Sequence, residues 1–379
     1  MKLLKILKPK KPYHLKDYKF SLVISVLAAS FLGILVIGSA NESFQSKQII
    51  GLVMSIGLMI VVSLVDYVWL LNFYWLIYGL AVFLLTIVLI PGIGQVVNGA
   101  RRWINLGFMT FQPSELAKIL LIIFFAQFIT NHREDLSEFK TIVKAVVLIL
   151  IPLALIFKEP NLSTTICTAT LFCVLMYIGG LSYRFIGTVL VIAIPLVIIL
   201  LSIVVQPDQK LLDDYQQKRI LAWLEPEKYA SDEAYQQNNS VMAIGSGQLT
   251  GKGLNNNTTT SVKNGNFILE PQTDFIFAIV GEELGFLGCC FVIALLLLIV
   301  IQCILVGLRS QELAGRIICC GVGGLIGIQT FINIAVATQV FPNTGIPLPF
   351  VSYGLTSLMS LYMGIGLVLN VGLQPKKYQ

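Results

Sequence analysis

Ten apolar runs limit what this chain can become. They cover approximately Phe20 to Ala40, Gln48 to Val65, Leu70 to Ile90, Ser114 to Thr130, Thr141 to Phe157, Leu162 to Gly180, Tyr183 to Val205, Phe275 to Gly307, Ala314 to Thr338 and Leu355 to Leu373. Each is near or above the roughly 20 residues that take a helix across a bilayer. Lipid offers the backbone no hydrogen-bonding partner, so segments of this kind span as helices. Composition agrees: 56% of residues are hydrophobic and 12% are charged, where soluble domains carry about 25% charged residues. The expected fold is an all-α polytopic membrane protein. It forms one domain over 1–379, with about ten transmembrane helices and one long extracytoplasmic loop, 206–273, between helices 7 and 8.

Charge sets the orientation. An even number of spans puts both termini on one side, and the tails and short loops of that side hold fifteen Lys and Arg residues against four opposite, Lys47, Arg101, Arg102 and Lys158. The basic tail 1–19 and the C-terminal tail 374–379 are therefore expected in the cytoplasm. The long loop is left out of the count, because long segments cross largely regardless of charge. The net charge of +6 belongs mostly to the cytoplasmic flank, where lysines meet anionic lipid, and calls for no nucleic-acid partner. The N-terminal lysines precede a long apolar run with no small-residue cleavage pattern, which suits a retained first span. All seven cysteines fall inside apolar runs and read as small core residues.

The unusual chemistry lies on the other, extracytoplasmic side. Gly99-Ala-Arg-Arg-Trp-Ile-Asn-Leu-Gly107 sets Arg101 and Arg102 beside Trp103. Guanidinium groups hold phosphate through a planar fork, although ordinary headgroup contact and an aromatic belt explain the same residues. Phe111-Gln-Pro-Ser-Glu-Leu-Ala-Lys118 opens the fourth span with Glu115 and Lys118 one turn apart. They either neutralise each other or place Lys118 on a pyrophosphate. The tight turn Lys158-Glu-Pro-Asn161 is explained by turn chemistry, with a catalytic role for Glu159 the less favoured reading. Gly245-Ser-Gly-Gln-Leu-Thr-Gly-Lys-Gly253 is a hinge or an anion nest carrying Lys252. Phe341 to Gly354 holds three prolines in an apolar stretch. It cannot form a regular helix, so it must pack on protein or line a cavity.

One acid stands out. In Glu270-Pro-Gln-Thr-Asp-Phe-Ile-Phe-Ala-Ile-Val-Gly-Glu-Glu-Leu-Gly285 a polar loop runs into an apolar helix, with Asp274 at its mouth and Glu282 and Glu283 about two turns further in. Charge at or inside a bilayer is costly, which marks such an acid as functional. Helix capping is the competing account of Asp274. Glu282 and Glu283 read as buried partners for a cation or for polar backbone.

Together these motifs resemble the SEDS family (shape, elongation, division and sporulation), with RodA-like members nearest and FtsW-like members next. The resemblance rests on Gly99-Ala-Arg-Arg-Trp-Ile, Gln112-Pro-Ser-Glu-Leu-Ala-Lys118, Ala243-Ile-Gly-Ser-Gly247 with Gly251-Lys-Gly253, Thr273 to Gly285, and Pro342 to Gly354. It runs over nearly the whole chain. Departures are Glu159-Pro-Asn161-Leu-Ser163-Thr164, where the family usually reads Gln-Pro-Asp-Leu-Gly-Thr, and Gln248 and Leu355 in place of glycines.

The resemblance implies a peptidoglycan glycosyltransferase that polymerises lipid II into a nascent glycan strand, working with a class B penicillin-binding protein and elongation or division complex proteins. The family's essential aspartate falls on Asp274. Its important Trp and Lys fall on Trp103 and Lys118, with Glu115 and Arg101 or Arg102 near them, and Lys252, Glu282 and Ser352 complete the substrate-binding set. Attack of a sugar hydroxyl on an anomeric carbon needs one general base. Expulsion of undecaprenyl pyrophosphate needs cations rather than a second acid. A divalent cation such as Mg2+ or Mn2+ can share the pyrophosphate charge, though no metal cage is visible. The rival expectations are a lipid-linked precursor flippase or transporter using the intramembrane charges, and a non-catalytic scaffold for a penicillin-binding protein.

Overall fold

The computed structural model describes residues 17–374 apart from 98–99, 108, most of 184–201, 207–213, 230–233, 256–260, 262–267 and 269. The tail lysines up to Lys16, Arg184, Gly99, Lys376, Lys377 and most of the seventh expected span lie outside the described residues.

The apolar runs became helices. α1, Phe20–Ala40, matches its run to the residue. α2, Glu42–Leu64, starts six residues earlier than expected, because the Asn41 side chain accepts from the Ser43 amide and caps it. The third run is divided. Asp66 caps the single turn α3, Tyr67–Leu71, and the chain turns at Asn72 before α4, Tyr74–Val88. α5, Pro113–Asn131, α6, Phe139–Lys158, and α7, Leu162–Ile178, follow. Within the long loop lie two short helices, α8, Asp214–Leu224, and α9, Tyr235–Ser246. α10, Ile276–Arg309, α11, Leu313–Ala337, and α12, Leu355–Leu373, close the chain. Seven of these helices are long and apolar enough to cross a membrane, and α4 and α7 are shorter apolar helices. The chain is a multi-pass membrane protein, and an expectation of ten spans is consistent with this count.

Residues 91–111 hold a small antiparallel sheet that the sequence reading did not contain. β1, Gly94–Val97, β2, Ala100–Asn105, and β3, Thr110–Phe111, lie in that order, with a bulge between Gln95 and Val96. Val97 pairs with Ala100, so the sequence Asn98-Gly99 joins the strands. That dipeptide is the strongest short-range hairpin signal.

α5 is apolar on every face above its first turn, and such a helix belongs at the centre. Fifteen of its nineteen residues are buried. α11 and α12 pack beside it, and α12 also lies along α2. α10 wraps the other side of α11. At 34 residues α10 is roughly 51 Å long, too long for a hydrocarbon core of roughly 30 Å. Its resolution is a break at Gly285, φ 65° and ψ −165°, a conformation open essentially only to glycine. A Cβ there would collide with the Gly251 nitrogen.

The glycine loop fills that break. Lys252 N and Gly253 N donate to the Glu282 and Glu283 carbonyls at 3.0 and 2.9 Å, and Phe286 N and Leu287 N donate to the Gln248 and Leu249 carbonyls at 2.8 and 3.1 Å. Backbone groups stranded by the break are thus satisfied from the loop. The amides of Gly251, Lys252 and Gly253 are taken up by backbone carbonyls, which leaves them no open nest for an anion. The loop splices two helices, Ile276–Leu284 and Phe286–Arg309.

Candidate functional site

Asp274 sits in the turn that leads into α10, on the wall of a cavity of about 290 Å³. Among the other segments that meet there are β2 through Arg102 and Trp103, the turn before α7 through Asn161, α8 through Arg219, the Pro-rich segment through Gly345, Pro347 and Tyr353, and the start of α12 through Leu355 to Ser357. The Pro-rich segment packs as its composition requires. Leu348 N donates to Ser352 Oγ at 2.8 Å, and Tyr353 N to the Gln272 carbonyl at 2.8 Å.

The backbone of Asp274 is fixed from behind. Asn333 Nδ2, buried in α11, donates to the Asp274 and Ile346 carbonyls, both at 2.8 Å. Gly345, at φ 70°, lies so close that a Cβ would stand 3.1 Å from Asp274 Oδ2. The N-cap of α10 falls on Phe275, and no side chain caps it. The capping account of Asp274 therefore lacks its geometry. Burial pushes the Asp274 carboxyl up to about 6, with nearby Glu270 adding to the shift and Arg219 and Arg102 opposing it.

Neighbouring arginines on β2 diverge, as alternate strand residues do. Arg102 turns into the cavity, where its Nε donates to the Glu159 carbonyl at 3.1 Å and its Nη2 to the Pro160 carbonyl. Arg101 donates instead to the Leu89 carbonyl at 3.0 Å and does not line the cavity. The turn that Arg102 holds contains Glu159, fully buried, whose two carboxyl oxygens have no hydrogen-bond partner among the described residues. Burial pushes that carboxyl up to about 8, against the pull of Arg102.

The remaining sequence candidates lie off the cavity wall. Glu115 and Lys118 bind each other at 2.6 Å, both buried. Lys252 binds Glu282 at 2.8 Å beside the splice, and Ser261 donates to Glu282 Oε2 at 3.4 Å. Glu283 accepts from Ser39 at 2.5 Å. Ser352 holds the Pro-rich turn. So Arg102, Trp103 and Asp274 are brought together, while Arg101, Glu115, Lys118, Lys252, Glu282 and Ser352 are not among the cavity's lining residues.

The sequence reading passed over Arg219, Glu270, Tyr353 and the anchor Asn333. Arg219 gave no signal beyond one cation on a polar loop helix. Asn333 gave one: an amide deep in an apolar run, which must find partners. The assembled site sets two carboxylates, Asp274 and Glu270, and two arginines, Arg102 and Arg219, around one open cavity. That set can take a proton from a hydroxyl and hold an anion nearby. The cavity's carboxylates are Asp274 and Glu270, and among the described residues no three His, Cys, Asp or Glu converge. Such a donor set fits a divalent cation shared with a substrate phosphate better than a cage of protein ligands.

A sequence model of the cell cycle protein family FtsW/RodA/SpoVE matches residues 15–377. The probable peptidoglycan glycosyltransferase FtsW of Geobacter sulfurreducens is 34% identical over 296 residues, 78% of this chain and 76% of the relative. The peptidoglycan glycosyltransferase MrdB of Escherichia coli K12 is 34% identical over 294 residues, again 78% of this chain and 76% of the relative. Among solved structures, a chain from a study of polymerization and crosslinking by a peptidoglycan synthase complex superposes with a TM-score of 0.79 at 27% identity, covering 94% of this chain and 97% of that one. The rod shape determining protein RodA of Thermus thermophilus gives a TM-score of 0.68 at 25% identity, over 96% and 98%.

Proposed function

The chain belongs to the FtsW/RodA/SpoVE family of cell cycle proteins, the SEDS family, and from that premise we infer its reaction. It is a peptidoglycan glycosyltransferase, the activity its curated relatives are named for. The substrate we assign is lipid II, polymerised at the extracytoplasmic face of the bacterial cytoplasmic membrane, with both termini in the cytoplasm.

Asp274 acts as the general base. The 4-hydroxyl oxygen of the acceptor sugar attacks the anomeric carbon of the donor strand, and the hydroxyl proton passes to the Asp274 carboxylate. The bond from that carbon to the phosphate oxygen breaks with inversion, and undecaprenyl pyrophosphate leaves with the electron pair. The observation that carries this reading is the Asp274 carboxyl set in a cavity opposite Arg102. A carboxyl near 6 is still mostly ionised at neutral pH while being a stronger proton acceptor than an ordinary aspartate, as base catalysis needs. Arg102 stabilises the departing anion, and Trp103 offers a face to the sugar or lipid. A divalent cation such as Mg2+ or Mn2+, if bound, would be held by Glu270 and Asp274 together with the pyrophosphate, and would share the charge of the leaving group.

Arg101, Glu115, Lys118, Lys252, Glu282 and Ser352 support the site from outside the wall. Transport would require Glu115, Lys118, Glu282 and Glu283 as a relay. The pairing of Glu115 with Lys118 and of Glu282 with Lys252 favours fixed internal ties instead. The partner we assign is a class B penicillin-binding protein within an elongation or division complex. The test is polymerisation of labelled lipid II by purified protein, with and without that partner. Glycan from the wild type and none from a folded Asp274→Ala variant supports the reading, and no glycan under any condition sinks it.

A further inference from the structure

The long loop delivers a cation to the site. α8 is fastened at two points one turn apart, where Arg219 Nη1 donates to the Asn343 carbonyl at 3.3 Å and Trp223 Nε1 to the Val340 carbonyl at 3.2 Å. Its N-terminal part is tied by Gln217 Nε2 to the Val204 and Gln206 carbonyls at 2.8 and 2.9 Å. These contacts fix where Arg219 stands, and they go to neutral carbonyls.

Beside the Asp274 cavity lies a smaller one of about 40 Å³, bounded by Ser163, Asn343 and Thr344. Arg102 and Arg219 are the two residues that line both. One comes from the sheet and the other from α8, so arginines from two separate elements line the seam between the cavities. Planar forks of this kind match the paired oxygens of phosphate groups. We infer that Arg219 and Arg102 form a two-guanidinium cradle for the pyrophosphate of the lipid-linked substrate, which makes Arg219 a substrate-binding residue supplied by the long loop. The inference rests on the glycosyltransferase reading and adds a residue that reading does not use.

The cradle also ties substrate binding to the base. Among the described residues, the charged or titratable groups around Asp274 are Arg219 from α8, Arg102 from β2, Glu270 from the approach to α10 and Tyr353 from the Pro-rich segment. Loss of either arginine leaves burial less opposed.

The experiment uses the full chain with its partner and two readouts. The first is the rate of lipid II polymerisation against concentration and pH for the wild type, Arg219→Gln, Arg219→Lys and Lys218→Gln. The second is binding of undecaprenyl pyrophosphate to Asp274→Asn with and without Arg219→Gln. Lys218 is exposed on the same helix and controls for charge alone. Arg219→Gln should raise KM and weaken undecaprenyl pyrophosphate binding by roughly ten- to a hundred-fold, the scale of a lost charge-assisted hydrogen bond. It should also move the acid limb of the rate profile to higher pH. Arg219→Lys should keep the limb and lose affinity several-fold, because it keeps the charge without the fork. Lys218→Gln should match the wild type. Unchanged binding in Arg219→Gln while the wild type polymerises would overturn the cradle, and so would an equal loss in Lys218→Gln. If Arg219→Gln does not fold, Arg219→Lys decides, and wild-type affinity in that variant overturns the cradle too. A wild type that makes no glycan is a separate result and removes the underlying reading instead.

Discussion

Asn333 holds Asp274 by its backbone: the buried amide of α11 donates to the Asp274 carbonyl at 2.8 Å and, with its second hydrogen, to Ile346 at the same distance. The base and the Pro-rich wall opposite it are thereby tied to one side chain. Asn333→Leu keeps the volume and removes both donors, leaving two carbonyls without them, at a cost of about 1–3 kcal/mol each. We expect folded protein in reduced yield and a polymerisation rate at least ten-fold below wild type. Equal activity per folded molecule would show that the tie does not position the base.

Asp274 must be ionised to accept a proton. Because its carboxyl stands at about 6, the rate should rise with pH through that value and level off above it. Asp274→Asn should lower the rate by at least about 100-fold above pH 7, the smaller end of general-base contributions, with the difference shrinking as pH falls below about 6. Arg102→Gln removes a cation that opposes the upward shift, so its acid limb should sit at higher pH. An acid limb that stays put in Arg102→Gln would argue that another group sets it.

Gly285 carries the splice. Alanine there is held in a backbone region costing about 1–3 kcal/mol for a residue with a side chain, and its methyl would strike the Gly251 nitrogen. Gly57, helical in α2 with open space at its Cβ position, is the control. Thermal unfolding in detergent should show Gly285→Ala lowered by several degrees and Gly57→Ala unchanged or slightly raised.

Glu159 is buried without a hydrogen-bond partner for its carboxyl among the described residues. Its pKa is raised from 4.5 to about 8, so the folded state holds a proton that the unfolded state releases. Stability is then greatest below about 4.5 and is lost as pH rises towards 8. Glu159→Gln imitates the protonated form. It should leave stability at pH 5 almost unchanged and raise the apparent Tm at pH 9 by roughly 2 °C or more. Parallel pH profiles for the two proteins would refute the account.

Long apolar runs declared themselves well, since α1 and α12 end where hydropathy ends. The break in α10 did not. Gly285 in Glu-Glu-Leu-Gly-Phe resembles any helical glycine, and only the docking of residues some 35 positions earlier shows that the helix stops there. The sheet was legible at Asn98-Gly99, although it was read as a connection. Asp274, Arg102 and Trp103 were found through charge and aromatic placement at the end of a span. Arg219 was not, because its role depends on a carbonyl 124 residues away. Lys118 and Glu282 were conspicuous as intramembrane charges, and the structure gives them each other's kind as partners.

The splice at Gly285 has a mechanical consequence. A bilayer that thins or thickens acts on the lipid-facing length of Phe286–Arg309 and is answered by tilt. The 248–253 loop holds residues 276–284 by two hydrogen bonds, to the Glu282 and Glu283 carbonyls, and the start of 286–309 by two more, from Phe286 N and Leu287 N, while Asp274 just before the break is held by Asn333. Tilt of 286–309 therefore meets a clamp at its first two residues before it reaches Asp274. A change in bilayer thickness is thus taken up along the lipid-facing length of the second helix, on the far side of the clamp from Asp274.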